Sequence, residues 1–412
     1  VVQKLRPDDP HVLTGLAASL ERLRRVDEAK VALRRALELD PTNSPALAAL
    51  GQLHAESGEI AEAEACIDLA IARAKDPGCR STAWHRLGAL RESQRLWDDA
   101  FEAHDRGNRT TSAMVMARAA APLTLTTELR SVLIDEEESI VARWSRAPVQ
   151  DGLRDPVFLV GFPRSGTTLT EQVLGSLPGS LTTDEEPVLD EARMQVVRWC
   201  SASAAPTLVQ ALDTLSAEQI HAARSLYWRS VERMVDPRAH AADLFVDKQP
   251  LRFIHAALLN RIFPRSKIIF VIRDPRDCCL SCFFQDFAPY GPMARSTTLE
   301  GIGDLYAEVM TFWMRARTKI SLPYLEVRYE DMVADFEPHA RRLVEFVGRE
   351  WTDDVLRFHE KAAGRAIRTP SFRSVTQKIN TRAVGKWAHY EKHLGPLIER
   401  VRPFLEPLGY EE

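Results

Sequence analysis

From Pro10 to about Arg109, apolar and small residues recur with the spacing of paired helices. Leu16, Ala17, Ala29 and Ala36 are answered by Leu50, Gly51, Ala63 and Ala70, each 34 residues later. Leu87, Gly88 and Ala100 answer again after a three-residue slip around Pro77-Gly78-Cys79-Arg80. Small residues at such crossing points let antiparallel helices approach closely. Asp40-Pro41 and Asp76-Pro77 close the first two pairs, because proline cannot continue a helix. The stretch from about Ser112 to Arg146 is Ala-rich and helical in pattern, broken at Pro122, and a turn-rich connector follows from Arg146 to Pro156. Beyond it the period changes. Short β-rich runs at Val157–Val160, Leu244–Val246, Lys267–Ile272 and Tyr324–Arg328 alternate with amphipathic helical stretches. That alternation predicts a parallel sheet with helices on both faces, and ligands of such sheets bind beyond the carboxyl ends of the strands.

Composition changes this picture little. The chain has 412 residues and a net charge of -4, too mild for a nucleic-acid surface. Cys279-x-x-Cys282 has no second pair at ligand spacing, so Cys278, Cys279 and Cys282 read as small buried or helix-face residues in a reducing compartment. No apolar run approaches the length of a membrane helix and the opening residues lack an apolar leader core, so the expected setting is cytoplasmic, with no membrane partner. The first residue is Val, and Lys4-Leu5-Arg6-Pro7 reads as the close of an element begun upstream.

The densest chemistry follows the first β-rich run. Gly161-Phe-Pro-Arg164-Ser165-Gly166-Thr167-Thr168 is a Gly-rich turn between a strand and a helix, where backbone amides and a helix N-terminus point at an anion. Its glycine spacing is that of a nucleotide hydrolase loop, but Thr167 stands where the phosphate-reaching lysine belongs. Arg164 adds charge to the hydroxyls of Ser165, Thr167 and Thr168. After the Lys267–Ile272 run, Arg273 at the strand end and Ser281 two helical turns on are placed to hold a second phosphate.

These residues resemble the sulfotransferase family, whose donor is 3'-phosphoadenosine 5'-phosphosulfate. The resemblance runs from about Val157 to His393, with Gly161–Thr168 as the 5'-phosphosulfate loop and Arg273 with Ser281 as the 3'-phosphate element. In this family Thr167 is expected. The 34-residue period resembles the tetratricopeptide repeat, with a degenerate third unit at His104 and Gly107, and the combination is similar to bacterial tetratricopeptide-repeat sulfotransferases. The catalytic part is similar to tyrosylprotein sulfotransferases. The resemblance implies a general base at Glu185, 21 residues after Arg164, needed because an acceptor hydroxyl is a poor nucleophile until its proton is taken. Asp184 departs from the family's glycine before that base, which leaves Glu186 as the other candidate. It further implies that Lys248 faces the bridging oxygen and that Ser371 hydrogen-bonds the transferring group. Lys386 would bind the 3'-phosphate, and Tyr329 would contact the nucleotide. Trp387 would either pack near the donor or fill the core. No histidine matches the base of the small-molecule branch, and no metal is implied.

The expected architecture is therefore α/β: a P-loop-like three-layer αβα domain with a parallel sheet at 153–412, preceded by an all-α tetratricopeptide-repeat region at 1–111 and a helical linker at 112–152. The expected reaction moves a sulfuryl group to an acceptor hydroxyl on a small molecule, sugar or peptide. Two rivals stand beside it, a nucleotide hydrolase or kinase using the same loop, and a non-catalytic scaffold recruiting a protein partner through its repeats. The segment Glu186–Ala192 is acidic and would repel an acidic peptide. The stretch from Met194 to about His240, with Trp199, Tyr227 and Trp228, is expected to shape the acceptor side.

Overall fold

The computed structural model describes residues 8–118, 138–146, 150–205, 207–288, 291–363 and 379–411. The repeats form three helical hairpins, α1 (Pro10–Arg22) with α2 (Val26–Leu39), α3 (Ser44–Glu56) with α4 (Ile60–Arg73), and α5 (Pro77–Ser93) with α6 (Trp97–Arg118). Asp9, Asn43 and Asp76 cap α1, α3 and α5 by accepting backbone N–H bonds, each with proline in the first helical turn. The 34-residue positions Ala29, Ala36, Ala63, Ala70 and Ala100 are all buried. The degenerate third unit has a physical basis: a Cβ on Gly88 would stand 2.5 Å from the His104 ring. The glycine makes room for a buried imidazole, whose Nδ1 lies 2.9 Å from that of His85.

Compactness does not follow chain order. One unit gathers the repeats with Cys279–Leu305 and Gly385–Arg402. Within it, His104 stacks on Phe284 at 4.1 Å, Trp97 on His389 at 4.3 Å and Phe101 on His393 at 4.2 Å. Asn108 donates to the Phe283 carbonyl. Residues that follow late in the sequence therefore fill the aromatic face of the third hairpin.

The other unit holds a parallel sheet of β1 (Val157–Gly161), β2 (Ser180–Thr182), β3 (Leu244–Lys248), β4 (Lys267–Ile272) and β5 (Tyr324–Arg328), in the order β2-β3-β1-β4-β5. The expected strands are present, β3 extending to Lys248. The edge strand β2 was not foreseen, since its three half-buried residues Ser-Leu-Thr carry no β pattern. Helices cover both faces. On one, Val157, Leu159, Val246, Ile269 and Val271 meet Leu169, Val173 and Leu174 of a helix here called α7 (Thr167–Gly175). On the other, Phe158 packs on Phe263, and Phe270 stacks on Trp313 of α8 (Leu299–Ala316) at 4.2 Å. β1 and β3 are buried throughout, as strands covered on both sides must be. The connector into β1 is fixed by Arg224, which bonds to Asp151, Asp155 and the Leu153 and Ile262 carbonyls. Among the described residues no helix is long and apolar enough to cross a membrane.

Candidate active site

The chemistry-bearing residues leave the sheet at one edge. Gly161 ends β1, Lys248 ends β3, Arg273 directly follows β4 and Tyr329 directly follows β5. All lie at the carboxyl ends of parallel strands, beside the crossover at β1.

After β1 the chain turns through Arg164 at φ 68° and Gly166 at φ 107° before α7 begins at Thr167. A Cβ on Gly166 would stand 2.5 Å from the Tyr329 ring, so only glycine lets that ring close on the loop. Arg273 lies over the same ring at 4.8 Å and donates through Nη1 to the Arg164 carbonyl at 3.1 Å and through Nη2 to that of Ala383. The loop, Arg273 and Tyr329 thus form one assembly. Burial pushes the Tyr329 hydroxyl up, against the pull of Arg273. Among the described residues, the Ser165 Oγ and the Arg273 Nε are buried and find no hydrogen-bond partner. Polar atoms left in that condition cost free energy unless a ligand satisfies them. A cradle with an unpartnered hydroxyl, an unpartnered guanidinium nitrogen and the first amides of α7 fits a phosphate or sulfate group.

The second cluster surrounds Lys248, whose side chain is wholly buried. Its Nζ lies 2.7 Å from Glu185 Oε1, 3.1 Å from Glu171 Oε2 and 4.0 Å from Asp184 Oδ1. Burial alone would lower its pKa, but the carboxylates of Glu171, Glu185 and Asp184 outweigh burial and hold the ammonium above its ordinary value. Asp184 and Glu185 have φ of 47° and 67°, both left-handed. Asp184 therefore occupies a backbone state that glycine adopts more freely than a residue with a side chain. Thr183 ties the turn to β3: its N–H donates to the Val246 carbonyl at 3.1 Å and its Oγ1 accepts from the Lys248 N–H at 2.9 Å. Of the two candidate bases it is Glu185 that meets Lys248. The Glu186 N–H closes the turn on the Thr183 carbonyl.

Ser281 lies half-buried in α-helix Pro275–Phe283. The Lys386 ammonium pairs with Glu92 of the repeats and lies over the Phe284 ring. Trp387 is half-buried in the short helix Lys386–His393. Ser371 lies outside the described residues. Tyr227 and Trp228, expected on the acceptor side, are core residues instead: Tyr227 donates to Asp247 and Trp228 to the Arg154 carbonyl. Trp199 lines a cavity of about 400 Å³ with Gln195, His221 and Arg229. Sequence reasoning missed Glu171, although a signal existed, since it is the one charge in the helix TTLTEQVLG. Among the described residues no group of three or more His, Cys, Asp or Glu is arranged to hold a metal.

Residues 156–353 match a family model described as Sulfotransferase family, and residues 22–90 one described as Tetratricopeptide repeat. Protein-tyrosine sulfotransferase A of Caenorhabditis elegans is 28% identical over 271 residues, covering 62% of this chain and 67% of that protein. Protein-tyrosine sulfotransferase 1 of Danio rerio is 26% identical over 274 residues, covering 62% and 72%. An uncharacterized protein of Aquifex aeolicus (strain VF5) is 28% identical over 250 residues, 59% of this chain, which spans 32% of that relative's length. Among solved structures, the sulfotransferase domain from the Synechococcus PCC 7002 olefin synthase shares 19% identity at a TM-score of 0.40, over 58% of this chain and 90% of that one.

Proposed function

The segment 156–353 belongs to the sulfotransferase family, and from that premise we propose that the protein transfers a sulfuryl group from 3'-phosphoadenosine 5'-phosphosulfate to an acceptor hydroxyl. The observation that carries this reading is the source of the cation. A nucleotide hydrolase draws its lysine from the loop, whereas here Thr167 fills that position and the buried ammonium comes from β3, paired at 2.7 Å with Glu185.

The donor supplies an activated sulfuryl group on a phosphate leaving group. Arg164, Ser165, Gly166, Thr167 and Thr168 hold its 5' end and Arg273 its 3'-phosphate, with Tyr329 against the nucleotide. Glu185 takes the acceptor's hydroxyl proton as the new oxygen–sulfur bond forms. Lys248 meets the charge left on the bridging oxygen as the old bond breaks, and Ser371 contacts the group in transit. No residue role here calls for a metal. In this scheme 153–412 is the transferase domain and 1–111 the repeats. The third hairpin has a structural role, because residues of the same chain fill its aromatic face, and a protein partner at the repeats uses the first two hairpins. An acidic peptide is a poor acceptor, since Glu186, Asp190 and Glu191 follow the base, although Arg233 pairs with Glu191 at 2.7 Å.

The test is transfer of radiolabelled sulfate from the donor into an extract of the source cells, with identification of the labelled product. Label in a hydroxyl ester is expected. No transfer combined with magnesium-dependent ATP turnover would instead favour the hydrolase reading, and no transfer despite tight binding of adenosine 3',5'-bisphosphate would favour the scaffold.

A further inference from the structure

Glu171 sits on α7 one turn beyond Thr167 and is wholly buried. Its two oxygens do different things. Oε1 accepts the Asp184 N–H at 2.9 Å, and Oε2 lies 3.1 Å from the Lys248 ammonium. It therefore touches both halves of the second cluster, the backbone of the turn that carries Glu185 and the cation that Glu185 pairs with. Packing alone does not call for a carboxylate here. An isolated buried charge is costly, and an apolar side chain of similar size usually fills such a place with equal or better stability.

We propose that Glu171 is a positioning residue for sulfuryl transfer, holding Lys248 charged and aimed while Glu185 leaves their ion pair to act as base. The proposal rests on the sulfotransferase reading. Its logic is one of charge. Among the described residues, the charged groups facing Lys248 are Glu171 from α7 and Asp184 and Glu185 from the turn after β2. Glu185 is the most open of the three, with its side chain 35% exposed against 0% for Glu171 and 24% for Asp184. Once Glu185 has taken the acceptor's proton it is neutral and no longer balances the ammonium. Lys248 is then buried with the Glu171 carboxyl at 3.1 Å, a group that burial pushes up and the ammonium draws back toward its charged form. Without it, the ammonium is balanced mainly by Glu185 at 2.7 Å, with Asp184 at 4.0 Å, and the base is held in the pair it must leave. The Asp184 N–H bond adds a second hold, since it pins a turn whose two left-handed residues would otherwise relax.

The test compares the wild type with Glu171→Gln and Glu171→Asp in the full chain. Binding of adenosine 3',5'-bisphosphate is measured by calorimetry, and the initial rate of label transfer into the source-cell extract is followed at saturating donor across pH. Glu171→Gln keeps the shape and one acceptor oxygen, so bisphosphate affinity is expected to hold while the rate falls roughly 10²-fold, the scale of a displaced catalytic group. The alkaline limb of the rate moves to lower pH, because Lys248 has lost an anion that retains its proton. Glu171→Asp restores part of the rate and of the limb, and it carries the test if the Gln variant does not fold. A wild-type rate with an unmoved limb in Glu171→Gln overturns the proposal. Loss of rate and bisphosphate affinity together, with the limb unmoved, overturns it in favour of a purely structural role. Absence of transfer by the wild type itself removes the sulfotransferase reading, and the proposal falls with it.

Discussion

The loop after β1 and the turn after β2 leave the same edge of one parallel sheet, and both hold non-glycine residues in left-handed backbone, Arg164 in the first and Asp184 with Glu185 in the second. They are built in different ways. The first is largely local: two glycines, an arginine and three hydroxyls within eight residues shape a cradle from backbone amides, and Tyr329 and Arg273 only close it. The second is a short turn, closed by the Glu186 N–H on the Thr183 carbonyl, whose chemistry is assembled from distant residues. It exists because Glu171 from one helix and Lys248 from a strand 63 residues beyond Glu185 meet it in the interior. A site built from local backbone conformation tolerates changes elsewhere in the fold. One built on long-range buried charge depends on every partner.

The largest expected effect breaks the second region. Lys248→Met leaves Glu171 buried without its cation, and removing one member of a buried pair costs about 3–5 kcal/mol. Urea unfolding should show that loss, and Glu171→Gln in the same chain should recover much of it, since the orphaned charge is then gone. A double variant as unstable as the sum of the singles would mean that the two residues act independently.

A smaller effect is expected in the first region. Gly166→Ala must accept both a left-handed backbone and a Cβ 2.5 Å from the Tyr329 ring. Strain of roughly 1–3 kcal/mol follows, which should weaken adenosine 3',5'-bisphosphate binding about tenfold or more, as calorimetry would register. Unchanged affinity would detach the loop from donor binding.

The smallest effect concerns pH. Behind Lys248, on the same strand, Asp247 meets Tyr227 and Arg252, and burial together with Arg193 and Arg252 takes His255 from 6.5 to about 3. The folded protein thus favours neutral imidazole. Its contribution to stability is full above pH 6.5 and falls as pH drops toward 3, by about 1–2 kcal/mol between pH 6.5 and 5 after allowing for partial exposure. His255→Asn should flatten the acid side of a stability profile from urea midpoints. An unaltered slope would place the acid sensitivity elsewhere, with the buried His85 and His104 of the repeats next in line, since burial lowers both.

The same contrast explains what the sequence disclosed. Strands such as Lys267–Ile272 were legible because burial on both faces demands an unbroken apolar run, and the anion loop because glycine spacing and hydroxyls are written consecutively. The alanine positions of the repeats were legible for a similar reason, since each crossing repeats the same steric demand. Ser180–Thr182 was not, because an edge strand of three residues has no period to show. Glu171 was passed over because its partners lie 13 and 77 residues away, and no local pattern reports a distant lysine. Tyr227 and Trp228 stand in the stretch from Met194 to about His240 expected to shape the acceptor side, yet their polar tips find partners in the interior, which lets both rings serve the core.

The central claim is that Glu185 removes the acceptor's proton during sulfuryl transfer from a donor held by the loop. Glu185→Gln separates those roles, because the amide keeps the size of the side chain and loses its basicity. With radiolabelled donor and source-cell extract, the rate should fall roughly 10²–10⁴-fold while adenosine 3',5'-bisphosphate binds as tightly as to the wild type. Transfer at the wild-type rate by Glu185→Gln would contradict the assignment.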